Sequence, residues 1–225
     1  VDVENVGSVD ATSVTVTVST TDPYINLINN SDVISLISAQ QIISINNPFT
    51  FQVANNVADQ HIVIFNLVMT DNQGNTWNST LNIIVNAPVL DYTTFTIDDS
   101  SGNGNGKLDA GETLDLIVGV TNIGHSDITA LTATLGSLSS YVSVNSTTSN
   151  IANLTVNNQQ STIFNITIDV NTLVGTFAEF PFDVTNGNYT YSTIFDEVIG
   201  VIDEDYETGD FTQYSWIQGT YPWTI

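Results

Sequence analysis

Residues 3–27, VENVGSVDATSVTVTVSTTDPYINL, align without a gap on residues 120–144, VTNIGHSDITALTATLGSLSSYVSV, with eight of the 25 positions identical. The identities include Asn5 and Asn122, Gly7 and Gly124, Asp10 and Asp127, and Tyr24 and Tyr141. Within the first stretch Val14, Val16 and Val18 alternate with Ser13, Thr15, Thr17 and Ser19, the period-two pattern of a strand with one face in a core. A repeat of this kind predicts two copies of one β unit in tandem.

Working outward, the same alternation recurs. Leu114, Leu116, Val118 and Val120 alternate with Asp115, Ile117, Gly119 and Thr121. Phe164, Ile166 and Ile168 do so with Asn165, Thr167 and Asp169, and Phe180, Phe182 and Val184 flank Pro181 and Asp183. Their outward positions are rich in Thr, Ser and Asn, and β-branched Thr suits a pleated surface. Turn clusters such as Asp71-Asn72-Gln73-Gly74-Asn75 and Asn186-Gly187-Asn188 punctuate the runs. No amphipathic helix is legible. The predicted class is all-β, with two tandem antiparallel β-sandwiches over residues 1–87 and 88–201. Ala87-Pro88 forms the boundary, because Pro ends a strand.

Val1 aligns with Val118, so residues 89–117 have no counterpart in the first copy. The expectation is that the first copy's opening strand and loop precede Val1. Residues 202–225 change character, turning acidic and then aromatic with Trp216 and Trp223, and read as the start of a third domain. The acidic cluster Asp203, Glu204, Asp205, Glu207 and Asp210 is either a second cation site in that domain or a solvated linker.

Charge narrows the partners. There are 24 acidic residues against a single basic one, Lys107, for a formal net charge of −23. Such a surface repels phosphate backbones and anionic headgroups, which argues against nucleic acid and membrane partners, and attracts cations. With no cysteine and only two histidines, His61 and His125, a thiol nucleophile is excluded and a zinc site or catalytic triad lacks parts. The sequence is therefore read as non-catalytic.

One loop carries chemistry. In Asp98-Asp99-Ser100-Ser101-Gly102-Asn103-Gly104-Asn105-Gly106-Lys107-Leu108-Asp109-Ala110-Gly111-Glu112, oxygen-bearing residues recur at the spacing of a calcium loop. Calcium takes six to eight oxygens, and the EF-hand loop supplies them from positions 1, 3, 5, 7, 9 and 12 with Gly at 6. With Gly106 at position 6, Asn103, Asn105, Asp109 and Glu112 fall at 3, 5, 9 and 12, and Lys107 offers its carbonyl at 7. Leu108 falls at the apolar anchor. Ser101 stands where an Asp is usual, and Asp99 or Asp98 must supply that carboxylate. The candidate ligands are thus Asp99, Asn103, Asn105, Lys107, Asp109 and Glu112, with Ca2+ as cofactor. The competing reading is a glycine-rich hairpin whose Asn residues tolerate left-handed backbone.

The loop DDSSGNGNGKLDAGETLDL followed by VTNIG resembles the opening of the Ig-like modules that follow gingipain-type cysteine peptidase domains in secreted Bacteroidetes proteins. The tail EDYETGDFTQYSWIQGTYPWTI resembles the start of the jelly-roll adhesin-type domain that follows such modules. The resemblance implies Ig-like sandwiches, a secreted or cell-surface setting and export by the type IX system. Only metal-ligand positions carry over, because the peptidase's Cys is absent. The expected role is a calcium-stabilised spacer whose partners are neighbouring domains of the same polypeptide. The alternative is an adhesin module that binds a glycan or a protein directly.

Overall fold

A computed structural model describes residues 1–46 and 48–200; the third-domain expectation for residues 202–225 lies outside them. The described chain is all-β and every strand pairing is antiparallel, as the alternation requires. The first half contains β1 (Asp2–Glu4), β2 (Ala11–Ser19), β3 (Ile25–Asn29), β4 (Ser31–Ile37), β5 (Ile42–Ser44), β6 (Thr50–Val53), β7 (His61–Thr70) and β8 (Thr76–Val85). The second contains β9 (Leu90–Asp98), β10 (Thr113–Asn122), β11 (Ile128–Leu135), β12 (Val142–Val144), β13 (Thr148–Leu154), β14 (Gln159–Ile168), β15 (Thr176–Thr185) and β16 (Thr190–Ile199).

In the second half β12-β14-β10-β9 form one sheet and β13-β11-β15-β16 the other. β10 between β9 and β14, opposite β15 between β11 and β16, is the ABE-on-CFG pairing of an immunoglobulin-like sandwich. The inward residues build one core: Leu116, Val118, Phe164 and Ile166 from one sheet, Leu131, Phe180, Phe182 and Val184 from the other, all at most 1% exposed. The first half has its own core around Val14, Val16, Val18, Val63 and Phe65.

The halves share their register. Ala11 pairs with Ile37 as Ile128 pairs with Leu154, and Asp2 with Ser44 as Gly119 with Ser161, all at an offset of 117. Ile25 opposite Val53 matches Val142 opposite Ile168, so by then the offset has fallen from 117 to 115 on the second partner. Two extra residues lie in the first copy around Pro48, where β5 and β6 replace the continuous β14. Pro lacks the N–H that a central strand must donate, which accounts for the break.

The boundary at Ala87-Pro88 is held on both sides. Asp59 accepts the Ala87 N–H at 2.8 Å, and its other oxygen lies 2.7 Å from Nδ1 of His125. His125 in turn donates its backbone N–H to the Ala87 carbonyl, and the Tyr189 hydroxyl donates to the Val57 carbonyl at 3.1 Å. Ala87 and Val57 are almost fully buried here.

Candidate metal centre

The loop joins two strands rather than two helices. β9 and β10 run antiparallel with Asp98 opposite Asp115, and residues 99–112 bridge them at the sandwich end. Leu108 fixes the loop: its side chain is fully buried in the second core, it forms a parallel bridge with Ile199, and its carbonyl accepts the Gly200 N–H at 2.6 Å. This is the anchor expected of an apolar residue at that position.

The two neighbouring aspartates part company. Asp98 is exposed and accepts the Ser100 N–H at 3.1 Å; Ser100 holds its carboxyl below the ordinary 3.8. Asp99 is only 5% exposed and turned into the loop, where Oδ2 accepts the Gly106 N–H at 3.0 Å. Gly106 sits at a φ of 73°, a left-handed conformation that glycine adopts without a Cβ penalty. Of the two aspartates, Asp99 is the one that faces the loop.

Asn103 ties the loop's two ends together. Its backbone N–H donates to Glu112 Oε1 at 3.0 Å and its amide to Asp109 Oδ2 at 2.7 Å. The Asn105 amide donates to the same Asp109 oxygen, also at 2.7 Å. The amide oxygens of Asn103 and Asn105 accept the N–H groups of Asn105 and Lys107 in successive side-chain turns. Lys107 itself is half-buried.

Among the described residues, no three His, Asp or Glu side chains converge closely enough to hold a metal between them. Asn103 stands between Asp109 and Glu112 instead, and the amide N–H groups of Asn103 and Asn105 both donate to Asp109 Oδ2. The oxygens of the loop are of mixed kind, carboxylate, amide and main-chain, the types that calcium accepts, although the two amides here turn their N–H groups to Asp109. One oxygen supports that fit. Glu112 Oε2 is buried without a hydrogen-bond partner, the one such side-chain atom among the described residues. An orphaned carboxylate oxygen is costly unless something positive reaches it. It belongs to the residue that calcium loops of this spacing use as a bidentate ligand.

The joint formed by Asp59 and His125 was not legible in the sequence. The partners are 66 positions apart, and nothing in the local pattern of either singles it out.

No family model matches the chain, and no curated protein matches it. Some solved structures align with it over most of its length, each with a TM-score below 0.5. A Porphyromonas gingivalis W83 protein of unknown function is 12% identical, with 88% of each chain covered and a TM-score of 0.31. Red sea bream transglutaminase is 14% identical over 89% of this chain and 28% of its own, with a TM-score of 0.34. Cadherin domains 1–4 of protocadherin gamma B7 are 12% identical over 83% of this chain and 40% of theirs, with a TM-score of 0.26.

Proposed function

We propose that this chain is a non-catalytic pair of Ig-like structural modules of a larger secreted or cell-surface protein, the second braced by Ca2+ in loop 99–112. The observation that carries the reading is the buried, unpartnered Oε2 of Glu112, in a loop that already turns Asp99 inward. Asp99, Asn103, Asn105, the Lys107 carbonyl, Asp109 and Glu112 are the ligands. Extracellular calcium modules bind at roughly 10⁻⁴–10⁻³ M. At millimolar calcium that adds about 1 kcal/mol, enough to order a loop and too little for a sensitive switch. The role is a brace.

The sequence resemblance supports a setting beside a gingipain-type peptidase in a protein exported by the type IX system. Among the described residues, the exposed aromatics Trp77, Tyr141 and Phe177 lie on or beside three different sheets and form no shared aromatic face for direct glycan binding. The test is calorimetric. Replacing Asp109 and Glu112 together by Asn and Gln should lower the melting temperature in calcium and make the curve identical with and without chelator. A double variant that still responds to calcium would overturn the assignment.

A further inference from the structure

Residues 57–60 and 172–175 form the same turn, 115 positions apart. His61 donates its N–H to the Ala58 carbonyl as Thr176 donates to that of Leu173. Gln60 and Gly175 both have left-handed backbones, with φ of 58° and 84°. The strands that follow keep the offset, since Thr15 lies opposite Thr70 as Thr132 lies opposite Thr185. Val57 and Thr172 are the buried residues of the two turns.

In the first half this turn meets the next module. The Val57 carbonyl accepts the Tyr189 hydroxyl, and Asp59 takes the Ala87 N–H and the His125 ring. The chain leaves β8 beside the same turn, where Val85 lies opposite His61, and passes straight into the second half. Units in a tandem array cover their end faces with their neighbours. The exit end of the first sandwich is such a face.

In the second half the equivalent face has changed chemistry. At the 115 offset Asn55, Ala58 and Asp59 become Val170, Leu173 and Val174, which are 73%, 75% and 58% exposed. Contiguous apolar surface of this kind marks a contact, the more so in a chain of net charge −23. The chain again leaves beside the turn. Gly175 donates to the Ile199 carbonyl, and a Cβ at Gly200 would lie 3.1 Å from Val174 Cγ2. The face also borders the candidate calcium loop, since a Cβ at Gly111 would meet Val170 at 3.3 Å.

We propose that this face seats residues 211–225 of the same chain. Past Gly200 come Asp203, Glu204, Asp205, Glu207 and Asp210, and then Phe211, Tyr214, Trp216 and Trp223 with no acidic residue among them. Residues 201–210 span at most about 35 Å when extended, which keeps the aromatic stretch within reach of a face that borders Gly200. Aromatic side chains match Val170, Leu173 and Val174 as the acidic linker does not. Hydrogen bonds at Asp59 close the first joint, whereas apolar burial closes this one. The face contains none of the candidate calcium ligands. The experiment is run in chelator, so its failure would leave the calcium assignment untouched.

The 225-residue chain has no cysteine, so Thr220→Cys or Ser215→Cys carries a single nitroxide label. The readout is paramagnetic broadening of amide NMR signals, with the reduced label as reference. Leu173, Val174 and Gly175 should lose their signals with either label, whereas residues 5–9 keep theirs. Val170→Ser and Leu173→Ser together, at exposed positions that leave the melting curve unchanged, should restore the signals of Val174 and Gly175. Serine adds no charge, so repulsion from the acidic linker cannot mimic the loss. Intact signals with both labels, or broadening that the serine pair leaves in place, would overturn the proposal. So would broadening of an isotope-labelled chain by a separate spin-labelled one, which would make the occupant a second copy.

Discussion

The carboxylate of Glu112 lies in the space that a side chain at Gly102 would need. The last residue of the loop thus closes over its fourth, and its Oε1 takes the Asn103 N–H while Oε2 is left for another partner. Gly102→Ala must displace that carboxylate. Because the clash is with the end of a flexible side chain at an exposed position, the cost in stability should stay within about 1 kcal/mol, while the variant should lose its thermal response to calcium. Paired melting curves in calcium and chelator check both parts.

The contrast between Asp98 and Asp99 can be measured directly. Asp99→Ala strands the Gly106 N–H in a part-buried site, a loss of about 1–3 kcal/mol. Asp98→Ala removes an exposed turn contact and should stay within about 0.5 kcal/mol. Denaturant unfolding of the two variants should separate them, with only Asp99→Ala also weakening calcium binding.

The joint at Asp59 should respond to acid. Burial alone would raise this carboxyl, but the Ala87 N–H, then the His125 ring and its charge, hold it below the ordinary 3.8. A folded-state value below the unfolded one means that the contribution is present above about pH 4 and is lost as pH falls through the folded value. Small-angle scattering between about pH 5 and about pH 3 should report a loosened arrangement of the two halves. Asp59→Asn should show the looser profile already at the upper pH. Asp22, held low against its own burial by the Tyr24 N–H and by His61, shares the window, so overall melting alone would not isolate the joint.

Ser13 and Ala130, equivalent at the 117 offset, both have left-handed backbones, with φ of 49° and 56°. A left-handed residue with a Cβ costs roughly 1–2 kcal/mol, so Ala130→Gly should stabilise the second sandwich by about 1 kcal/mol. A higher urea midpoint with an unchanged slope is the expected reading.

Much of this molecule was legible in its sequence, and the reason is burial. Wherever one face of a strand meets a core, as at Val14-Val16-Val18 or Phe180-Phe182-Val184, the alternation exposes it. Leu108 could be placed because an apolar side chain among ligand-type residues has to anchor somewhere. In the sequence the gapless repeat ends at Leu27 and Val144 and recurs only loosely from Thr70 and Thr185, yet the shared register runs on without a gap to Ser44 and Ser161. Backbone pairing tolerates substitutions that erase identity, and the two residues inserted near Pro48 then shift the alignment. The choice between Asp98 and Asp99 needed coordinates, since adjacent residues differ only in which way the turn faces them. The long-range pair Asp59 and His125 needed them too.

The central claim is one calcium site in the second sandwich that depends on Glu112. Isothermal titration of calcium into the chain, with Glu112→Gln in parallel, tests it most directly. The prediction is a binding event with a Kd of roughly 10⁻⁴–10⁻³ M that disappears in Glu112→Gln. No calcium binding by the unaltered chain, or binding that Glu112→Gln leaves unchanged, would contradict it.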